Sequence, residues 1–317
     1  MRAPDFWRRR GLPALALAPA GLIYAAGGWL RERLAAPVQA AVPVVCIGNA
    51  VAGGAGKTPT LLAIAAMLAH RNPHALSRGY GGNEKGPLRV DPAKHTAADV
   101  GDEPLLLART MPSWVARDRA AGAAAIAGAG AGVILMDDGF QDPGLAKTLS
   151  LLVVDAEQGF GNGFCLPAGP LREPVERALG RADALVLAGG GAFRPQTGKP
   201  VFRAAIKPTG AADAWHGRRV VAFAGIGRPA KFFATLRELG AELVCEMAFP
   251  DHHVFDEAEL AELAARAADG ALLVTTEKDW VRLPEAWRGR VQALPVELRF
   301  GDGPAVERFL RDRLEAA

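Results

Sequence analysis

Three glycines, Gly53, Gly54 and Gly56, precede Lys57-Thr58 in the stretch VPVVCIGNAVAGGAGKTPT, residues 42–60. Glycines at this density let successive backbone N–H groups turn inward around an anion. A helix opening at Lys57 adds the positive end of its dipole. Lysine at that point reaches the β and γ phosphates of a nucleotide, and the Thr58 hydroxyl can ligate Mg²⁺. Gly53, Gly54, Ala55, Gly56, Lys57, Thr58 and Pro59 together form the expected phosphate cradle. The strict pattern G-x-x-x-x-G-K-[ST] is not met, because Val51 stands where its first glycine belongs. A glycine-rich turn that merely carries a lysine is the plain alternative. An apolar strand before the turn and an alanine-rich helix after it favour nucleotide binding, by ATP or GTP.

A second group of chemical residues closes the apolar run Val133-Ile-Leu-Met-Asp137-Asp138-Gly-Phe-Gln. Two carboxylates at the carboxyl edge of a parallel strand suit the Mg²⁺ that bridges the phosphates in a P-loop protein. An Asp/Gly-rich strand-to-turn junction is the alternative. Asp102 opens a predicted helix in Val100-Gly-Asp-Glu-Pro. Spacing alone favours a cap there, whereas a reaction that deprotonates an alcohol would give the carboxylate a place in the active cleft. Arg78 and Tyr80, on the loop SRGYGG, suit a phosphate, a sugar or simple turn chemistry equally. Arg119 starts an alanine-rich helix, and Arg172 and Glu173 end a long Gly/Pro-rich loop after Gly159, of the kind that is functional or mobile.

The elements that must hold these residues follow from pattern. A chain of 317 residues with 50% hydrophobic and 22% charged residues fits a globular α/β protein of more than one domain. Its net charge of +3 is too small to argue for nucleic acid. Cys46, Cys165 and Cys245 are too far apart in sequence for a C-x-x-C pair, so neither a disulfide framework nor a zinc site follows. The predicted fold is α/β: a P-loop NTPase-like parallel-sheet domain over 41–207, a smaller α/β domain over 208–317, and an apolar amino-terminal helix over 1–40. In the smaller domain Gly225-Ile-Gly227 reads as a tight turn, since no third glycine or ribose-binding acid follows. Thr276-Glu-Lys-Asp279 misses the register of a guanine-reading motif. Val291 to Phe300 is expected as one last strand before a carboxyl-terminal helix.

Residues 11–30, GLPALALAPAGLIYAAGGWL, carry no charge. A spanning helix, a signal peptide and a helix lying in a membrane surface compete for this segment, with a buried soluble helix as the bland alternative. Pro13 and Pro19 weaken the first reading. Export would remove the nucleotide site from its ATP, which weakens the second. Within the first 34 residues, six arginines against Asp5 and Glu32 leave a local charge of +4. Cationic flanks around an apolar face suit the anionic cytoplasmic leaflet, and membrane association is the expectation.

The motifs GNAVAGGAGKTP, SRGYGG, VGDEP, Asp118-Arg119, DDGFQ, GNGFCLPAGPLREP and FPDHH (Phe249 to His253) occur in this order along nearly the whole chain. As a set the chain resembles the tetraacyldisaccharide 4'-kinases, the lipid A 4'-kinases of Gram-negative bacteria. Val51 agrees with that family's departure from the strict cradle. The resemblance implies an ATP-dependent, Mg²⁺-dependent transferase. It would place the γ-phosphate on the 4'-hydroxyl of a lipid A disaccharide 1-phosphate, giving lipid IVA and ADP. It implies catalytic roles for Lys57, Asp102, Arg119, Arg172 and one of His252 and His253, with His252 preferred. It implies metal roles for Thr58, Asp137, Asp138 and Glu173. It further implies a monomer on the cytoplasmic face of the inner membrane, with no nucleic-acid partner, whose two halves close over the substrate. The other reading carried forward is a P-loop GTPase or metal-insertion NTPase acting as a switch.

Overall fold

The computed structural model describes residues 4–54, 56–210, 214–267 and 270–316. It divides into two compact units, Ala3–Ile206 with Leu298–Ala317, and Lys207–Glu297.

The larger unit runs α1 (Leu12–Leu34), β1 (Val44–Gly48), α2 (Lys57–Met67), β2 (Pro73–Ser77), β3 (Leu88–Arg89), α3 (Ala97–Val100), α4 (Asp102–Leu107), β4 (Ser113–Val115), α5 (Arg119–Gly128), β5 (Val133–Asp137), β6 (Leu149–Asp155), α6 (Val175–Arg181), β7 (Ala184–Ala188) and β8 (Val201–Pro208). The smaller unit holds β9 (Arg219–Ala224), α7 (Pro229–Glu238), β10 (Glu242–Ala248), α8 (Glu257–Arg266), β11 (Leu272–Thr276), α9 (Glu277–Trp280), α10 (Glu285–Arg288) and β12 (Val291–Leu294). The chain ends with β13 (Val296–Phe300) and α11 (Gly303–Glu315).

In the larger unit nine strands lie in the order β13-β8-β7-β6-β1-β5-β2-β4-β3. The pairs from β8 through β4 are parallel, and the short β3 is antiparallel to its neighbour β4. At the other edge, hydrogen bonds from Gly301 N to Arg203 O and from Thr209 N to Pro295 O run β13 antiparallel to β8. Parallel strands must be covered on both faces, and the sequence alternates accordingly. Val45, Ile47, Leu135, Leu151 and Val153 face a core closed by Leu61, Ile64, Ala65 and Leu68 of the α2 region and by Val306, Leu310 and Leu314 of α11. Val44, Cys46, Ile134, Met136, Leu152 and Val154 face the other, closed by Ala123 and Ile126 of α5 and Ala178 of α6. The central strands β1 and β5 therefore lie buried on both sides, and both end at the same edge, where Ile47 pairs with Asp137.

The expected strand over 291–300 is two strands. Pro295 cannot donate a ladder hydrogen bond; β12 before it belongs to the smaller sheet, and β13 after it lies beside β8. The boundary expected to put all of 208–317 in the second domain moves for the same reason. Leu298 and the α11 residues are core of the larger unit.

The smaller unit is a four-stranded sheet in the order β10-β9-β11-β12, parallel throughout. Phe232, Phe233 and Leu236 of α7 cover one face, and Leu260 and Leu263 of α8 cover the other. Gly225 is a packing glycine: a Cβ there would lie 3.1 Å from Asp279 Oδ1, from His253 Cβ and from Pro250 O. The Thr276–Asp279 run is a helix cap, in which Thr276 Oγ1 donates to Asp279 Oδ2 at 2.6 Å and accepts from the Asp279 N–H at 3.1 Å.

Helix α1 docks on the larger unit by a seam of small residues. Ala14 and Gly21 are buried, Ala18, Ala25 and Glu32 half-buried, at spacings of three, four and seven residues along one helical face. Large apolar side chains point the other way: Leu12, Leu22, Ile23 and Leu34 are each more than 70% exposed. Ahead of the helix, Trp7 Nε1 donates to Pro167 O at 3.0 Å and Arg10 Nε to Asn162 O at 3.0 Å, fastening the amino terminus to the long loop after Gly159. A Cβ at Gly21 would lie 2.8 Å from the Cys165 carbonyl oxygen. Gly21→Leu should therefore lift α1 from its seat at a cost of about 1–3 kcal/mol. Thermal denaturation and limited proteolysis after residue 11 check this; an unchanged melting temperature and cleavage pattern would show that the seam is not a docking contact.

Candidate active site

The cradle joins β1 to α2 as expected, with Ala55 outside the described residues. Gly53 and Gly56 have φ of 112° and 85°, conformations that an L side chain resists; Gly56 is the residue from which α2 starts. Val51 needs no such freedom. It bridges Leu171 in antiparallel fashion, flanked by hydrogen bonds from Ala52 N to Pro170 O and from Arg172 N to Ala50 O, both 2.7 Å. A residue in that extended pairing carries a side chain without strain. Pro59 falls in the first turn of α2, where a missing N–H costs no helical bond. Thr58 is half-buried in the same turn.

Lys57 lies across the cradle. Its Nζ donates to Asn49 Oδ1 at 3.2 Å and stands 3.5 Å from Asp138 Oδ1. Asn49, fully buried, also donates to Gly53 O at 3.0 Å. Asp138 carries a positive φ of 48° just past the end of β5, which aims its carboxylate at the cradle. Arg172 Nη1 donates to both Asp138 oxygens at 2.9 Å. Burial pushes the Asp138 carboxyl up, but Lys57 and Arg172 outweigh it and hold the group below its ordinary value.

Arg119 and Glu173 differ from expectation. Arg119, only 4% exposed, donates from Nη1 to Leu76 O at 2.9 Å and from Nη2 to Asp137 O at 3.1 Å. A guanidinium whose terminal nitrogens donate to the carbonyls of β2 and β5 ties those strand ends together. Glu173, expected beside the metal, has both oxygens on Arg181 Nη2 at 2.5 Å and accepts from Gln141 Nε2 at 2.9 Å. Its charge is already matched. Three residues given no role by sequence reasoning complete the site: Asn49, Gln141 and Arg181. The first two stand inside quoted motifs, GNA and DDGFQ, whereas nothing near Arg181 in sequence signals its part.

Asp102 is the first residue of α4 and is 8% exposed. Close backbone packing sets its position: a Cβ at Gly101 would lie 2.5 Å from Tyr80 O, and one at Gly82 within 2.6 Å of Asp99 O. The SRGYGG loop and the VGDEP turn are thus one packed structure, which only glycines permit. Tyr80 itself is 75% exposed.

On the smaller unit the two histidines differ. His253 Nε2 lies 2.8 Å from Glu259 Oε2, and its ring stacks on Phe249 at 4.7 Å and meets Phe255 edge-on. His252 has a φ of 60° and is the more exposed of the two, with Nε2 3.4 Å from Lys278 Nζ.

A family model described as "Tetraacyldisaccharide-1-P 4'-kinase" matches residues 13–315. The tetraacyldisaccharide 4'-kinase of Rhodospirillum centenum is 54% identical over 98% of this chain and 96% of its own length. That of Parvibaculum lavamentivorans is 52% identical over 100% and 99%. Among solved structures, an apo form of LpxK from Aquifex aeolicus, in complex with ATP, superimposes with a TM-score of 0.78 at 28% identity, covering 95% of this chain and 99% of that one.

Asp137 has an oxygen that the protein itself does not satisfy. It is 4% exposed, and its Oδ1 has no hydrogen-bond partner. Burial, then the charges of Asp138 and Glu103, push its carboxyl up to about 7 despite Lys57 and Arg119. A buried, unpartnered carboxylate oxygen next to a second carboxylate fits a hard divalent cation with oxygen ligands. The pH dependence has a definite sign. Between the ordinary value of 3.8 and about 7 the folded chain keeps a proton that the unfolded chain has lost, so stability falls as pH rises through that window. Asp137→Asn should therefore stabilise the metal-free protein by about 1–3 kcal/mol above pH 7, and by much less at acid pH. Excess Mg²⁺ should narrow the gap. Thermal melts in chelator at the two pH values test this, and an equal effect at both would contradict it.

Proposed function

Because the chain belongs to the tetraacyldisaccharide-1-P 4'-kinase family, we propose that it transfers the γ-phosphoryl group of ATP to the 4'-hydroxyl of a tetraacyldisaccharide 1-phosphate. The observation that carries this reading is the meeting of Lys57, Asp138 and Arg172 at the mouth of the glycine cradle. Phosphoryl transfer needs little beyond positioning and charge stabilisation, and these residues supply both. Lys57 and Arg172, held before nucleotide arrives, are the cations for the phosphate chain. Mg²⁺ bound from Thr58, Asp137 and Asp138 would neutralise charge on the transferred group. Arg119 keeps the ends of β2 and β5 in register beneath the two aspartates. Asp102, fixed by the glycine-packed turn, accepts the proton that the sugar hydroxyl loses. Of the two histidines, the chemical role goes to His252, since His253 is engaged by Glu259 and two phenylalanines. The switch-type reading loses support from the helix-capping role of Thr276 and Asp279, which leaves no base-reading motif in that run.

Helix α1 supports a lipid surface as the place of work. It is long and apolar enough to cross a membrane by length and composition, yet its small-residue seam follows the protein along most of its length. A helix covered on one side in this way, with large apolar residues on the other and arginines at both ends, lies in the interface rather than across it. We assign it to the cytoplasmic leaflet, where ATP is available.

The direct test is transfer of radiolabelled γ-phosphate to a tetraacyl disaccharide 1-phosphate in detergent micelles. Labelled lipid is expected from the wild type. Lys57→Ala should lower kcat about 100-fold or more, and Asp102→Asn by a similar factor. Nucleotide hydrolysis without labelled lipid would overturn the assignment. The Leu22→Glu/Ile23→Glu pair should abolish co-sedimentation with anionic vesicles while leaving the melting temperature unchanged; retained binding would remove α1 from the membrane interface.

A further inference from the structure

Glu32 is the only acidic residue between Asp5 and Glu84. It sits between Arg31 and Arg33 in the last turn of α1, after a long uncharged apolar run. An acid in that position works against attraction to an anionic surface. Its side chain does not face outward. The Glu32 carboxylate pairs with Arg177 Nη2 and lies 3.3 Å from Arg181 Nη1, both on α6.

From there a continuous chain of polar contacts reaches the phosphate cradle, all of it within the larger unit. Arg181, whose guanidinium also lies over the Phe140 ring at 4.8 Å, grips both oxygens of buried Glu173 at 2.5 Å. Glu173 accepts from Gln141 Nε2, which also donates to the Asn49 carbonyl, each at 2.9 Å. The Gln141 Oε1 accepts from Arg172 Nη1 at 3.4 Å. Arg172 and Asn49 are the residues that hold Asp138 and Lys57. A second, shorter link runs from the same helical turn, because Arg31 Nη2 donates to the Gln141 carbonyl at 2.6 Å. Charge alternates along the longer path: Glu32, Arg181, Glu173, then Arg172 and Asp138.

We propose that Glu32 is a positioning residue for the nucleotide cradle, coupling the seating of the apolar helix to the placement of Arg172 and Lys57 through Arg181, Glu173 and Gln141. With Glu32 neutral, Arg181 has one carboxylate left to balance it and draws Glu173 away from Gln141. Gln141 then loses its grip on Asn49 and Arg172, and the two cations that meet ATP are held less well. The coupling gives a lipid kinase a cradle that is best formed when its membrane helix is in place. This inference rests on the nucleotide-binding and kinase reading above.

ATP affinity, measured by equilibrium dialysis with labelled Mg-ATP on the full chain in detergent micelles, tests it apart from lipid phosphorylation. Glu32→Gln should weaken ATP binding about tenfold and raise the KM for ATP by the same factor at saturating lipid. The KM for lipid should stay unchanged, and Glu32→Asp should recover part of the loss. Glu32→Gln and Gln141→Ala act on one path, so their double variant should be weaker than either by less than the product of the single effects. ATP affinity within about twofold of wild type, effects that multiply, or a loss confined to lipid KM or melting temperature would overturn the proposal. Arg31→Ala, which cuts the second link without removing the acid, gives an independent variant should Glu32→Gln fold poorly. It should shift ATP affinity in the same direction, and an unshifted value there would count against the coupling. If no form phosphorylates lipid while ATP affinity follows this pattern, the kinase assignment fails and the coupling stands.

Discussion

Two adjacent carboxylates at the end of one buried strand constrain everything around them. Asp137 and Asp138 cannot both carry charge in a dry setting without cations close by. The protein resolves this unequally. Asp138 is turned by its positive φ into the reach of Lys57 and Arg172 and is ionised, while Asp137 stays buried with one oxygen unpartnered and its carboxyl pushed up to about 7. That asymmetry requires β5 to lie beside β1, a glycine turn that lets Lys57 fold back, and a loop that returns Arg172 to the same point. The Val51–Leu171 bridge provides the last of these.

The strand–glycine–helix order and the Asp-terminated strand were legible because each is local. A buried parallel strand is a short apolar run, and a phosphate turn needs its glycines within a few residues of its lysine. Arg119 and Glu173 were harder to read. Their residue types are those of phosphate and metal ligands, yet what they do depends on the partners that β2, β5 and α6 bring from elsewhere in the chain. Sequence gives no measure of whether an arginine's donors are already committed to main-chain carbonyls. The break at Pro295 was visible as a residue, but its consequence, a strand on either side belonging to a different sheet, is a fact of tertiary pairing.

The amino-terminal helix shows a related limit. Its residues are apolar on every side, so periodicity does not separate a docked face from an outward one. Size separates them: alanine and glycine on the seam, leucine and isoleucine outside. The seam seats one side of the helix against the larger unit from Ala14 to Glu32. Glu32 ends that seam, and through it the most lipid-like element of the chain meets the most polar one.

The measurement that bears most directly on the centre of the site is the affinity of Asp138→Asn for ATP with and without Mg²⁺. If Asp138 serves the metal, its neutralisation removes a negative charge that faces the phosphates, while Asn49 and Gln141 still hold Lys57 and Arg172 in place. Metal-free ATP should then bind about tenfold more tightly than to the wild type, while the gain in affinity that Mg²⁺ gives the wild type should be lost. Equal weakening under both conditions would contradict this, and would make Asp138 a structural pin instead of the carboxylate around which the phosphate site is built.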